Sequence, residues 1–340
     1  MSNTQTWPGL LVRASLGDTG RLPRPTITQS PDIPISGPFP FDRPGFLEDA
    51  DTYDNTYNYE VQAGFPNYAY IRGKNLTNQP IDGHWNLFFA QPNLLLYPYL
   101  WENNQLVTGD GNLNPPFSIQ PGQVGATPDA FNWVPPGGID RFSMIAMAIT
   151  KEHGNPFEGV HAISNLVEVL AKNGNVGMRN VEIVRGIVPE ITSSIRYEQG
   201  SEAARVDIMA VCRNIPKGSS FFISSSTPLN GRTLSFSIES TGATDFRAGF
   251  IDLDIPANWS TTFNYTLKLG SDYSGIPNGA MPSVQLRAEL VIESGHALYD
   301  LGAAAEPDPA TQAVRTCAKG TPLRVVVAGG FETVCADMGP

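Results

Sequence analysis

The 340-residue sequence lacks any long run of apolar side chains. Its first thirty residues contain Leu10, Leu11 and Val12, but Arg13 interrupts them and no signal-peptide core follows. Nowhere does an apolar stretch approach the roughly 20 residues that cross a bilayer. We therefore expect no membrane insertion. The cellular location stays open between the cytoplasm and release by a route that needs no signal peptide.

Cysteine is scarce as well. The chain has three, and an odd number with these spacings excludes the disulfide framework of a small secreted protein. Cys212 shares a predicted strand face with Val206, Ile208 and Ala210, which predicts a buried thiol. Cys317 and Cys335 are close enough in sequence to pair, and their disulfide would stabilise the C-terminal tail. The paired and the unpaired state both remain open.

Charged residues are few, and acidic residues outnumber basic ones by 33 to 22. Charged residues make up 16% of the chain, and the formal net charge is −11. The six lysines and sixteen arginines are dispersed without a basic cluster. Nucleic acid and anionic bilayers are therefore poor candidates for partners.

Catalytic motifs are missing too. The sequence has no G-x-S-x-G and no glycine-rich phosphate loop, and none of its four histidines stands in a catalytic or zinc motif. The 33 acidic residues leave a carboxylate pair for glycoside hydrolysis open; Asp252 and Asp254, for example, lie two apart on one predicted strand face. We expect a protein that is not an enzyme, with a hydrolase of dispersed carboxylates as an alternative.

What the chain has in quantity is turn formers and alternating strands. Its 33 glycines and 29 prolines disfavour a helical bundle. Residues 85–89, 234–238 and 284–292 alternate apolar and polar side chains, as half-buried strands do. One helix is predicted over 160–171, because its apolar residues follow helical spacing. The patterns predict an all-β fold with two immunoglobulin-like β-sandwich domains joined by one short α-helix.

Prolines and alanines mark two extensions. Seven prolines between Pro23 and Pro44 predict an extended N-terminal arm, and the chain after Gly295 is a tail with one short strand at 323–327. The predicted organisation is an arm with an acidic, tyrosine-containing loop over 1–62, a first β-sandwich over 63–157, a linker helix over 158–174, a second β-sandwich over 175–294 and the tail over 295–340.

A family resemblance rests on turn and core residues. They are Ile71–Leu76, the aromatic strand Trp85–Phe89, the loop Leu94–Trp101, Phe131–Pro135, Asp140–Phe142 and Asn155–Pro156, with Asn175–Asn180 opening the second module. With these, the sequence resembles bacterial two-domain proteins built on immunoglobulin-like modules of the CARDB (cell-adhesion-related) type. The resemblance implies a fold and no reaction.

Loop aromatics are the candidate binding residues. Their flat rings could stack on sugars or anchor a protein interface, or else fill gaps between arm and sandwich. The acidic run 48–54 beside them is either a solvated loop or a cation site. The aromatic candidates are Tyr53, Tyr57, Tyr59, Tyr97, Tyr99 and Trp101.

Calcium is the one cofactor that the sequence leaves open. Asp110, Asn112 and Asn114 repeat the first three alternating oxygen ligands of a calcium loop, but the glycine and glutamate expected later in such a loop are missing.

These features predict a non-catalytic structural or interaction protein. We expect it to self-associate, or to dock into a larger assembly with another protein subunit, through its arm, its edge strands and its loop aromatics. The alternative is an adhesin- or toxin-type module that binds a surface glycan or a receptor.

Overall fold

The computed structural model describes residues 5–24, 29–137, 141–182, 190–240, 245–277, 280–306 and 313–334. The predicted all-β fold is confirmed: these ranges contain many strands and one α-helix, α1, at Ile163–Lys172. The immunoglobulin-like assignment stays a prediction. The chain forms two compact units. Unit 1 comprises Met1–Gln91, Leu96–Val160 and Glu168–Val184, and unit 2 comprises Pro92–Leu95, His161–Val167 and Arg185–Pro340.

The described residues of unit 1 form thirteen strands, in sheets with the orders β13-β12-β7-β9, β4-β5-β11-β8, β10-β6-β2 and β1-β3. Their bounds are β1 Gln5–Thr6, β2 Leu10–Leu11, β3 Arg21–Leu22, β4 Ile35–Gly37, β5 Asn67–Ala69, β6 Arg72–Asn75, β7 Ile81–Ala90, β8 Val107–Thr108, β9 Pro116–Ile119, β10 Val124–Ala126, β11 Phe131–Trp133, β12 Arg141–Thr150 and β13 Val176–Glu182. Short 3₁₀ helices lie at Pro44–Glu48, Ala50–Thr52 and Pro98–Leu100.

The core of unit 1 is built around β7 and β12. The two strands pair antiparallel over eight residues, from Ser143 opposite Ala90 to Thr150 opposite Gly83. β12 is apolar and buried along almost its whole length, as expected for a strand with neighbours on both sides. Trp133 on β11 packs edge-on against Phe142, with ring centroids 5.0 Å apart, which links a second sheet to this core.

The segment 1–62, which the sequence predicted as an extended arm, is part of unit 1. β2 pairs with β6, and β4 pairs with β5. Leu10, Val12 and Ile33 are buried in the same core as Trp85. The prolines do interrupt the segment, but the apolar residues between them are enough to form strands of two or three residues that bury against the sheets.

In the part of unit 2 that the structure describes, nine strands form two sheets with the orders β14-β19-β16-β17 and β18-β15-β20-β22-β21. Their bounds are β14 Glu190–Glu198, β15 Ala204–Arg213, β16 Ser220–Ser225, β17 Ser235–Glu239, β18 Phe246–Ile255, β19 Ser260–Lys268, β20 Ser283–Ile292, β21 Ala303–Ala304 and β22 Arg324–Val334, with a 3₁₀ helix at Tyr299–Leu301. The sheets pack face to face: the rings of Phe250 and Phe263 are stacked 6.2 Å apart, and the Tyr265 hydroxyl lies 2.8 Å from that of Thr333.

The tail predicted over 295–340 supplies a long central strand to unit 2. β22 has eleven residues and pairs with the full length of β20, so it is no free extension. The sequence prediction ended this strand at residue 327, too early, because two adjacent glycines, Gly329 and Gly330, are typical of a turn. The strand instead needs a glycine here, because a Cβ at Gly329 would lie 1.8 Å from the carbonyl oxygen of Leu94.

Three smaller predictions can be placed. The helix begins at Ile163, three residues later than predicted, and the division between the two units falls within it. Cys212 is buried, as predicted. Cys335 lies outside the described residues, so the question of its pairing with Cys317 stays open. No helix among the described residues is both long and apolar enough to cross a membrane.

Candidate functional site

The structure separates the six candidate aromatics into two groups. Tyr53, Tyr97 and Trp101 are buried, which agrees with the alternative that the loop rings fill gaps inside the protein. The Trp101 indole N–H donates to the carbonyl oxygen of Leu96 at 3.0 Å, and the ring packs edge-on against Phe157. These rings are core residues of unit 1, because each has an apolar body and a polar tip whose hydrogen bond can be made inside the protein.

A buried cluster of charged side chains fixes the loop that carries Tyr57 and Tyr59. Asp32 is fully buried and lies between two arginines: Arg13 Nη2 is 2.7 Å and Arg72 Nε 3.1 Å from its Oδ1. The Arg13 guanidinium also covers the ring of Tyr53, 3.4 Å from the centroid. Burial, followed by the nearby Asp32 carboxylate, raises the pKa of Tyr53 well above its usual value.

The same arginines bind the backbone of the loop. Arg72 Nη2 donates to the carbonyl oxygens of Tyr53 at 2.9 Å and Asn55 at 2.7 Å, and its Nη1 donates to that of Thr52 at 3.1 Å. Arg13 Nη2 donates to the Tyr53 carbonyl as well. Charge-assisted bonds of this kind hold the backbone just before Tyr57 and Tyr59 in one conformation.

This loop presents an aromatic surface, which we define as Phe39, Phe41, Phe46, Tyr57 and Tyr59. Phe41 makes edge-to-face contacts with Phe46, Tyr57 and Tyr59 at centroid distances of 5.1–5.9 Å. Phe39 is 76% and Tyr59 57% exposed. Five exposed carboxylates lie in the same segment: Asp42, Glu48, Asp49, Asp51 and Asp54. Two of the sequence candidates therefore belong to this aromatic surface, in which Tyr57 is half-buried and Tyr59 is exposed. Tyr99 is exposed elsewhere and stacks on Tyr97.

The calcium candidate is a turn whose side-chain oxygens bond within unit 1. The Asp110 carboxylate accepts from the Thr108 hydroxyl and from the Asn112 N–H, and these bonds lower its pKa. Asn112 Oδ1 accepts from the Asn114 N–H at 2.9 Å, and Asn114 Oδ1 accepts from Asn86 Nδ2 at 2.5 Å. These are the bonds of successive Asx turns. Calcium stays a prediction for this loop.

The sheet β14-β19-β16-β17 of unit 2 ends in an open edge at β17. The Leu234 carbonyl accepts from Ser225 N at 2.8 Å, and Ser240 N donates to the Ser219 carbonyl at 2.8 Å. Because hydrogen bonds to one neighbour alternate along an antiparallel strand, the backbone groups of Ser235, Ser237 and Glu239 point away from β16. In the described part of the chain no strand pairs with that side of β17.

The other sheet of unit 2 has an edge that is protected against pairing with a further strand. Its edge strand β18 carries Arg247, Asp252 and Asp254, and it bulges opposite Asp207, where Asp252 adopts a positive φ of 53°. Bulges and charges are the usual means of keeping an edge from pairing. β17 has a regular register, no proline and no lysine, and its one charged residue is Glu239 at its end.

The outer face beside this edge is rich in small hydroxyl side chains. One row across the four strands consists of Thr192, Thr266, Phe222 and Ser237. Phe222 is an exposed aromatic ring in the middle of that face. The sequence predicted the strand 234–238 from its alternation, but nothing in the pattern indicates that this strand lies at the edge.

Comparison with known proteins leaves the family open. No family model and no curated protein matches the chain. Among solved structures, similarity reaches a red sea bream transglutaminase (TM-score 0.20, 8% identity, over 68% of this chain and 28% of that one). It also reaches the C-terminal globular domain of an oligosaccharyltransferase from Pyrococcus abyssi (TM-score 0.13, 8% identity, 63% and 45%). An oxalate decarboxylase is matched with a TM-score of 0.10 at 9% identity over 64% and 76% of the two chains. The chain spans less than a third of the transglutaminase, and similarity this low assigns neither a family nor an activity.

Proposed function

We propose that this protein is a non-catalytic interaction protein that associates with a second copy of itself through the open edge of β17. The proposal rests on one observation. The backbone donors and acceptors of three alternate residues of β17 face outward and have no strand partner among the described residues; these residues are Ser235, Ser237 and Glu239. An edge of this kind is a template for adding a strand.

The open edge of β17 can pair with the same edge of a second copy. A two-fold axis at Ser237 would place Ser237 opposite Ser237 of the second copy, and Ser235 opposite Glu239. Each backbone N–H would then face a carbonyl, as a self-complementary antiparallel pair requires. The two glutamates would not oppose each other, so no like-charge repulsion arises at this register.

The contact is small, and its strength follows from its size. About six new backbone hydrogen bonds, each contributing roughly 0.5–1.5 kcal/mol, must offset the entropic cost of association. We therefore expect a weak dimer whose population rises with concentration, not a permanent one.

Sedimentation velocity over a series from about 10 to about 500 μM tests the proposal, because a weak contact shows itself by its concentration dependence. The sedimentation coefficient should rise with concentration for the wild-type protein. It should stay at the monomer value for Ser237→Pro, which removes an outward N–H that makes no intrachain bond, and for Ser237→Lys, which charges the edge.

Ser194→Lys is the matched control. It introduces the same charge on the same outer face, but on β14 at the far side of the sheet. Edge pairing leaves this variant as associated as the wild type. A wild-type protein that stays monomeric throughout, or one whose association survives both Ser237 variants, contradicts the proposal.

A further inference from the structure

The aromatic surface of unit 1 combines exposed rings with an excess of negative charge. Phe39 is 76% and Tyr59 57% exposed, and the other three rings of the surface are half-buried and contact one another. Residues 39–60 include six acidic residues and one basic residue, Arg43, and all seven are exposed. Contiguous exposed apolar patches of this kind mark interaction sites.

Two contacts place carboxylates from different loops beside the rings. Glu48 Oε1 accepts from the backbone N–H of Ala126 at 3.2 Å, and Ala126 belongs to the buried cluster on which Phe41 packs. Tyr70 stacks on Phe41 with ring centroids 5.2 Å apart. Burial raises the pKa of Tyr70, and the nearby charge of Asp129 adds to this effect. The negative charge therefore surrounds the rings as well as following them along the chain.

The protein itself neutralises little of this charge. Of the six acidic residues in 39–60, only Asp54 forms an ion pair with an arginine or lysine of the described chain, and its partner is Arg13 at 3.3 Å. Within residues 29–137, all of which the structure describes, no arginine or lysine lies over the ring of Phe39 or Tyr59. Both the carboxylates and the faces of these rings attract cations.

The surface is also held in place before any partner binds. Arg13 and Arg72 donate to backbone carbonyls in residues 52–55. The buried Arg72 guanidinium lies 5.7 Å from the ring centroid of Tyr57, so one ring of the surface already contacts a cation of the protein. Because the backbone is ordered in advance, a partner that binds here does not have to offset the entropic cost of ordering it.

We propose that the aromatic surface binds a basic polypeptide segment of another protein, in which arginine or lysine side chains stand beside apolar ones. The cationic groups contact the carboxylates and the ring faces, and the apolar side chains cover the remaining ring area. This interaction goes beyond self-association, since no residue of β17 takes part in it.

Other occupants fit the surface less well. A second copy of the chain carries the same surface and a net charge of −11, so its approach is opposed by repulsion. Nucleic acid is repelled for the same reason. A purely apolar partner would remove the carboxylates from water without compensation. A metal ion would use the carboxylates and leave the rings exposed.

Fluorescence anisotropy of a labelled peptide tests the proposal on the intact chain. The peptide repeats arginine, leucine and glycine over about twelve residues, and its glycines disfavour a strand that adds to a sheet edge. Two comparison peptides carry glutamate for every arginine, or serine for every leucine. At low ionic strength and protein concentrations up to about 500 μM, we expect the basic peptide to bind, its serine version to bind several-fold more weakly, and the acidic peptide not to bind.

Two substitutions on the surface have matched controls elsewhere in unit 1. Tyr59→Ser should weaken binding about two- to fivefold, which corresponds to roughly 0.5–1 kcal/mol for one exposed cation–π contact. Glu48→Gln should weaken it about twofold, as expected for one exposed ionic contact. Tyr99→Ser and Glu158→Gln make the same changes at exposed residues outside 39–60, and both should bind the peptide as the wild type does.

Any of four results would overturn the proposal: no binding of the basic peptide, equal binding of either comparison peptide, equal losses in the surface variants and their controls, or loss of binding in Ser237→Pro. The last result would assign the peptide to the edge of β17. Near-UV circular dichroism establishes that each variant folds, and the two surface variants change exposed side chains independently. Peptide binding and the sedimentation of the protein alone are separate measurements, so a failure of self-association is distinguishable from a failure of this proposal.

Discussion

Each unit contains a cluster of buried carboxylates and arginines, and the two clusters differ in how completely their guanidinium nitrogens are hydrogen-bonded. In unit 1, every nitrogen of the Arg13 and Arg72 guanidinium groups has an acceptor: Asp32, Asp54 or a backbone carbonyl. In unit 2, Arg315 and Arg247 bind carboxylates through their terminal nitrogens, and each leaves a buried Nε that has no acceptor among the described residues. The difference lies in the backbone. Loop carbonyls surround the guanidinium groups in unit 1, whereas a cleft adjoins them in unit 2. The saturated cluster of unit 1 thereby fixes a loop, whereas the arginines of unit 2 join side chains of neighbouring strands.

The largest effect should follow from removing the centre of the saturated cluster. Asp32→Ala leaves two buried guanidinium groups without their shared carboxylate, which should cost about 3–5 kcal/mol of unfolding free energy. Urea unfolding followed by circular dichroism measures the loss. Because Arg13 and Arg72 also hold residues 52–55, the aromatic surface should lose its fixed conformation in the same variant.

Asp54→Ala is the matched control for this change. Asp54 Oδ1 lies 3.3 Å from Arg13 Nη1, yet its side chain is 90% exposed. Exposed ion pairs contribute little, so the change in unfolding free energy should stay within about 0.5 kcal/mol. Equal losses in the two variants would mean that burial does not distinguish the two aspartates.

The sequence predicts more of the fold than of the candidate site. The strand at 234–238 and the burial of Cys212 were predictable, because both follow from the alternation of neighbouring residues. The pairing of Leu10–Leu11 with β6 was not, since a strand of two residues has no periodicity and its partner lies about 60 residues away. The ion pair between Asp207 and Arg315 is harder still to predict. Asp207 looks like an ordinary outward-facing strand residue until Arg315, 108 positions later, is found against it.

Removing the Glu289 charge from the cluster of unit 2 should not lower the free energy of unfolding at neutral pH, in contrast to Asp32→Ala in unit 1. Burial, opposed by the Arg247 charge, leaves the pKa of Glu289 raised. The folded state therefore binds the Glu289 proton more tightly than the unfolded state does. Wild-type stability from this group is fully present below the unfolded pKa and is lost as the pH rises through the folded one. Glutamine resembles the protonated acid at every pH.

Glu289→Gln should consequently match the wild type near pH 4 and become as stable or more stable, by up to about 1 kcal/mol, at pH 7. Urea midpoints of both proteins across this range measure the difference. A variant that is clearly less stable at pH 7 would show that the Glu289–Arg247 pair stabilises the fold as Asp32 does, and would remove the contrast between the clusters.

The smallest effect at neutral pH concerns the tyrosine at the edge of the saturated cluster. Tyr53→Phe keeps the ring under Arg13 and removes a hydroxyl that lies 3.4 Å from Asp32 Oδ2, a long contact, so at pH 8 the loss should be below about 0.5 kcal/mol. Burial and Asp32 raise the pKa of Tyr53, so the phenol stays protonated in the folded protein after the unfolded chain begins to ionise near its ordinary value of about 10. Above that pH the wild type loses stability, by at most about 1.4 kcal/mol for each pH unit, and phenylalanine does not. Urea midpoints at about pH 8 and 10.5 should therefore shift in favour of the variant. A difference that stays constant across this range would mean that Tyr53 ionises as readily in the folded protein as in the unfolded chain, and that solvent reaches the cluster which the arginines and loop carbonyls enclose.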